Sequence, residues 1–263
     1  MNSNGTNRDN TYNLLRNAGY YTIEYIPGKE LPRPVLSDSG IRAYLIRPQA
    51  LVMELRSNRL ILDAGIGSAD WMRECGTQGI TKVGNLFYAK GQVVSIVKKE
   101  SSVENLDDLL KQGPILCASE YVNITRDYIM QNKTYKDKFG SKKPTIVFRG
   151  EEYGENPEVK ILYSDGKTEL YITKGADMVV DFKKTGKTLE TLNLRKLDKI
   201  MNSQAALYMR EDCSDWKKNK IEEFYQNLIT NNDWIDEELV TKNTTLKEGQ
   251  WIYKERFKDE LNK

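Results

Sequence analysis

Residues 175–190 read GADMVVDFKKTGKTLE. An apolar run, Met178–Val180, lies between Asp177 and Asp181, and a Lys-Lys-Thr-Gly-Lys-Thr turn follows. A short run rich in β-formers, closed by a glycine turn, predicts a strand that ends in a loop. Asp177 and Asp181 are an even number of positions apart, so an extended chain turns both to one face, flanking Val179. Two like carboxylates on one face are costly unless something binds them. A ribose 2,3-diol can donate one hydroxyl to each. The turn then supplies Lys184, Thr185, Gly186, Lys187 and Thr188. Gly186 permits a tight backbone whose amides converge on an anion, and the two threonines add hydroxyl donors. A following helical turn would add its positive end. A ribose with its 5-phosphate is therefore one ligand that satisfies both strand end and loop; a solvated surface turn is the plainer alternative. Gly186-Lys187-Thr188 also resembles the end of a nucleoside-triphosphate loop. That motif needs glycine where Asp181 stands, and a carboxylate there would repel the phosphates.

Working outward, strand-like and helix-like runs alternate. NTYNLLRNA (10–18) has helical spacing and stops at Gly19. YYTIEYI and IRAYLIRP read as strands, the latter ended by Pro48, and QALVMELRSNR reads as a helix. LILDAGIG is nearly continuously apolar, as in a parallel sheet buried on both faces. GQVVSIVKK, PILCAS, TIVFR, VKILYS and DMVVDF read as strands. SVENLDDLLKQ, capped by Ser102, reads as a helix, as do ITRDYIMQN and KNKIEEFYQNLIT. This alternation predicts an α/β protein with mostly parallel sheets. Residues 131–158, polar and rich in Gly, Lys and Glu, predict an insertion or long loop around one short strand.

Composition narrows the function. At 263 residues the chain has room for one large domain or two small ones, and a net charge of +2 carries no strong field toward nucleic acid or an anionic membrane. The polar start MNSNGTNRDN is no secretory signal, and no apolar run reaches membrane-spanning length. Cys75, Cys117 and Cys213 have no paired spacing, so neither a disulfide framework nor a zinc site is expected and a reducing cytoplasm is the default location. Histidine is absent, which excludes Ser-His-Asp and Cys-His catalysis in their usual form.

The acid, apolar run, acid and Thr-Gly-x-Thr-Leu series resembles the 5-phosphoribosyl-1-pyrophosphate (PRPP) loop of the ATP phosphoribosyltransferases. The segments NGTNRDNTYNLLRNAGY, AYLIRPQAL, LDAGIGSADWM, ILCASEYVNITRDYI, ILYSDGKTEL and IMNSQAALYM are similar to that family's motifs in the same order, over about residues 4–228. At the N-terminal turn the family's Lys and Arg align with Asn4 and Thr6, and Gly67 and Ser68 replace its Thr and Gly.

The resemblance implies two α/β domains with a central cleft, similar to type II periplasmic binding proteins. Residues 1–91 with 201–232 would form one domain, 92–200 the second, and 233–263 a C-terminal extension. It implies transfer of phosphoribose from PRPP to N1 of ATP, with magnesium carried on the donor's pyrophosphate, as the first step of histidine biosynthesis. A different acceptor, or a regulatory homologue that binds without turnover, are the rival readings. Asp177 and Asp181 would take the ribose hydroxyls and residues 184–188 the 5-phosphate. Arg47, Gly65, Gly67 and Ser68 would line the facing domain, with Tyr121, Glu169, Gly5 and Arg8 as further substrate contacts. The resemblance also implies a homodimer or higher oligomer. The residues after 228 are too few for the family's histidine-binding domain, so a separate subunit resembling a histidyl-tRNA synthetase is the regulatory partner expected.

Overall fold

The computed structural model describes residues 5–23, 35–38, 40–57, 62–184, 187–232, 246–247 and 250–251. Contacts divide the chain into two units, residues 1–90 with 204–263, and residues 91–203. Both are α/β.

In the first unit, β12 (Ala205–Arg210) lies between β3 (Ala64–Ser68) and β4 (Ile80–Asn85), antiparallel to both. Its run AALYMR is apolar throughout because both faces are covered. Ala205, Leu207 and Met209 pack with Leu14 of α1 (Gly5–Asn17) and with Tyr225, Leu228 and Ile229 of α8 (Asp215–Thr230). The alternate residues Ala206 and Tyr208 pack with Leu51, Val52 and Leu55 of α2 (Pro48–Arg56) and Met72 of α3 (Ala69–Cys75). Two strand expectations need correction here. LILDAGIG supplies β3, but β3 pairs antiparallel, because the returning chain places β12 beside it. IRAYLIRP forms no strand: Arg42 makes one isolated bridge to Val35, and Pro48 opens α2 at once with Arg47 held extended (φ −69°, ψ 146°).

The second unit has a seven-stranded sheet in the order β11-β5-β10-β6-β9-β7-β8. The strands are β5 (Gly91–Lys98), β6 (Ile115–Ser119), β7 (Pro144–Phe148), β8 (Glu151–Tyr153), β9 (Asn156–Tyr163), β10 (Met178–Lys183) and β11 (Leu194–Ser203). Five run one way, and β5 and β8 run against them. The sheet is thus mixed rather than mostly parallel. The chain enters by β5 and leaves by β11, which pair with Gly91 opposite Ser203. One face packs Val94, Ile96, Ala118 and Val179 against Ile172 of a 3-10 helix (Thr168–Lys174) and against Leu189 of α7 (Lys187–Thr191). On the opposite pleat Ser95 meets Tyr128 of α5 (Val122–Gln131), whose hydroxyl donates to Asp198.

Two local expectations also change. α4 spans Leu106–Gln112 and is capped by Asn105, whose Oδ1 accepts from Asp108 N at 3.1 Å; Ser102 lies too far upstream. Residues 131–158 are not a long loop. They build α6 (Lys133–Phe139), β7, β8 and the start of β9. Their polarity misleads because β8 is an exposed edge and α6 buries little beyond Tyr135, whose hydroxyl donates to Lys142 O at 2.6 Å. Among the described residues no helix is long and apolar enough to cross a membrane.

Candidate active site

Three parallel neighbours, β10, β6 and β9, come into register at one end: Val180 stands opposite Ser119, and Ser119 opposite Tyr163, where β6 and β9 stop and β10 runs on to Lys183. The carboxyl ends of parallel strands are where α/β sheets bind ligands. The end is tied by short hydrogen bonds. Ser119 Oγ donates to Val180 O at 2.9 Å and accepts from Tyr121 N at 2.8 Å. Ser164 N donates to Ser119 O at 3.1 Å, and the Ser164 and Thr168 hydroxyls meet at 2.7 Å. Gly166 (φ 75°) and Lys167 (φ 49°) then turn the chain back into the 3-10 helix.

Acids gather at this rim. Asp181 comes from β10, Glu120 follows β6, Asp165 follows β9, and Glu169 comes from the 3-10 helix. Asp181 Oδ1 accepts from Phe182 N at 2.7 Å, and Oδ2 accepts from Lys183 Nζ at 2.7 Å. The same ammonium lies 3.6 Å from Glu169 Oε2. Burial pushes the Asp181 carboxyl above its ordinary value; Lys183 pulls it down and Glu169 pushes it up. Burial likewise raises Glu120, opposed by a hydrogen bond from the Gly166 backbone and reinforced by Asp181, Asp165 and Glu169. The array is acceptor-rich around the Lys183 ammonium and suits a ligand that brings hydroxyl donors.

The expected residues fall into three groups. Asp181 and Glu169 come together through Lys183. Lys184 is exposed just after β10. Lys187 and Thr188 open α7, and Thr185 and Gly186 lie outside the described residues.

Asp177 is corrected. It precedes β10 at the opposite end from Asp181, where its Oδ2 accepts from Leu116 N at 2.8 Å while its own N donates to Leu116 O at 2.9 Å. Four residues of strand separate the two acids by roughly 13 Å. The parity argument was sound, but one ribose cannot reach both. Tyr121 is corrected as well: its ring is buried in the core, and what it offers this end of the sheet is its backbone N–H.

Gly5, Arg8, Arg47, Gly65, Gly67 and Ser68 belong to the other unit. Arg47 is exposed ahead of α2, Ser68 precedes α3, and Gly5 and Arg8 sit in α1. Gly65 and Gly67 admit Leu51: a Cβ on Gly67 would lie 2.7 Å from Leu51 Cδ2, and one on Gly65 would overlap Leu51 Cδ1.

Sequence reasoning missed Glu120, Asp165 and Lys183. The available signal for the two acids was position, since each follows within two residues of a predicted strand's end. Cys117 lies toward the other end of β6, opposite Met178, where full burial drives its thiol above the ordinary value.

The family described as ATP phosphoribosyltransferase matches residues 54–230, from α2 to the end of α8. The chain belongs to the ATP phosphoribosyltransferase family. A curated ATP phosphoribosyltransferase from Chlorobaculum parvum is 27% identical over 229 residues, covering 83% of this chain and 66% of that protein. One from Koribacter versatilis is 30% identical over 192 residues, covering 70% of this chain and 56% of that protein. The chain thus spans just under two thirds of the first relative's length, and less of the second's. Among solved structures, the ATP phosphoribosyl transferase (HisG:HisZ) complex from Thermotoga maritima matches with a TM-score of 0.62 at 18% identity, covering 85% of this chain and 92% of that one. That likeness supports the family's α/β fold. The family match takes in the whole 91–203 unit, and with it the acid-lined rim and the 184–188 segment.

Proposed function

We propose that this chain is an ATP phosphoribosyltransferase acting at the first step of histidine biosynthesis. It would move the phosphoribosyl group of PRPP to N1 of the ATP adenine. The N1 lone pair forms a bond to ribose C1 as the C1–oxygen bond to pyrophosphate breaks, and the electrons leave with the magnesium-bound pyrophosphate. Magnesium arrives on the donor, as part of the substrate. The reaction calls for no strong base, so a chain without histidine can perform it by holding two substrates in line and balancing charge.

One observation carries the reading: in a member of this family, Asp181 and Glu169 converge on Lys183 at the carboxyl ends of parallel strands, and β10 leads straight into the 184–188 segment. Asp181 and Glu169, in place of Asp177, would accept the ribose hydroxyls. The 184–188 backbone and hydroxyls would hold the 5-phosphate. Self-association and a separate regulatory subunit belong to the same reading; the Thermotoga structure is a complex of two components, HisG and HisZ.

The experiment is a pyrophosphate-release assay with PRPP, magnesium and a panel of nucleotides and bases, paired with calorimetry of donor binding. Release that depends on ATP is expected, with donor affinity at least about tenfold weaker in a folded Asp181→Asn variant. Release with another acceptor would assign a different transferase. Donor binding without release would make the chain a regulatory homologue.

A further inference from the structure

Lys183 has no role in the reading so far, yet its surroundings are specific. Its ammonium is 2.7 Å from Asp181 and 3.6 Å from Glu169, and the three side chains are only 14–18% exposed. Charges this far from water persist when they are paired. Residues 181 and 183 share one face of β10, which turns the lysine stem toward the 3-10 helix that carries Glu169.

We propose that Lys183 is a positioning residue, an internal cation shared by Asp181 and Glu169 that keeps both as carboxylates able to accept the hydroxyls of the donor's ribose. The inference rests on the reading of the site under Proposed function.

Charged groups from separate elements meet here: Lys183 on β10 itself and Glu169 on the 3-10 helix act on Asp181, and Glu120 after β6 feels Asp181, Glu169 and Asp165 after β9. Asp181 and Glu169 share that cation, and Glu120 and Asp165 add negative charge beside them. Without that cation, close carboxylates in a dry setting do not all stay ionised, and one takes a proton. A protonated carboxyl presents a donor where the diol needs an acceptor. Burial already pushes Asp181 upward, and Lys183 is the opposing influence.

The test compares wild type with Lys183→Met, which keeps the stem's bulk and removes the charge. Carboxyl-carbon NMR titration of the ligand-free protein should place the midpoint of Asp181 higher in Lys183→Met by about one pH unit or more. Equal midpoints in the two proteins would overturn the inference. Calorimetry with magnesium PRPP at about pH 8 and about pH 6 should give Lys183→Met an extra loss of affinity on acidification, up to roughly tenfold per pH unit. The donor's own phosphates titrate in both proteins and cancel in the comparison. Lys183→Arg should restore the wild-type profile, and Lys183→Met/Glu169→Gln should flatten it, because the second change removes the repelling charge. A Lys183→Met profile that tracks wild type would overturn the role assigned to the cation. Wild type that binds no PRPP at either pH would instead overturn the donor reading, and the ligand-free titration then decides by itself whether Lys183 holds the pair ionised.

Discussion

Gly65 and Gly67 illustrate how a residue's meaning changes between sequence and structure. In the sequence they end an apolar run and invite a ligand-binding interpretation. In the fold they are the surface against which Leu51 of α2 lies, so close that a single methyl has no room. A Gly65→Ala substitution is therefore expected to destabilise the protein by about 1–3 kcal/mol, the usual cost of overpacking a filled core. The measurement is a denaturant melt of Gly65→Ala, Leu51→Ala and the pair. Because the clash needs both groups, the double variant should be more stable than the two single losses summed. Additive losses would mean that Leu51 does not set the size of position 65. Asp181 shows the converse, since its setting at a strand end, ahead of a glycine turn, was legible from residue chemistry alone. Its partner was not: Glu169 reaches it through a 3-10 turn and a lysine that no local pattern announces.

At the scale of elements, most helices and most strands of the 91–203 unit were legible, because each carries one clear period. What escaped was pairing. LILDAGIG is as apolar as a parallel strand because β3 is covered by α2, whatever the direction of its neighbour β12. IRAYLIRP has the right residue types, yet Pro48 commits the next residues to a helix and no ladder forms. Asp177 was misread for a related reason: the face it shares with Asp181 was recognised, but not that the length of strand between them keeps both from one ligand. Its backbone and carboxylate both bond to Leu116, so it closes the β6–β10 ladder at the start of the two strands. Asp177→Ala should then cost about 1 kcal/mol of stability, the worth of one such hydrogen bond, and leave PRPP affinity within about twofold of wild type. Thermal melts and calorimetry on the same preparations check both halves. A Asp177→Ala protein of normal stability that no longer binds the donor would return Asp177 to the ligand.

At the scale of the whole molecule, the sheet of the first unit is closed by a strand from far along the chain. β12 lies in the middle, between β3 and β4, yet the entire 91–203 unit is threaded before it. Sequence patterns are local, so this arrangement was legible only through the resemblance. It carries a consequence for the order of events in time. During synthesis at ~5–20 residues per second, Ala205 emerges on the order of 10 s after Asn85. Over that interval β3 and β4 have no partner to join them, while the 91–203 unit already has all seven of its strands once Ser203 has appeared. Bringing β12 home also closes a long loop, which slows that step unless the intervening residues have already collapsed. Pulse-labelled hydrogen exchange during refolding should accordingly protect amides of β6, β9 and β10 before those of β3 and β12. Chains halted at residue 203 should carry the first set of protected amides and lack the second. Simultaneous protection of both sets would mean that the two units fold as one. If the order holds, the newborn chain has its acid-lined rim before its first sheet has a middle.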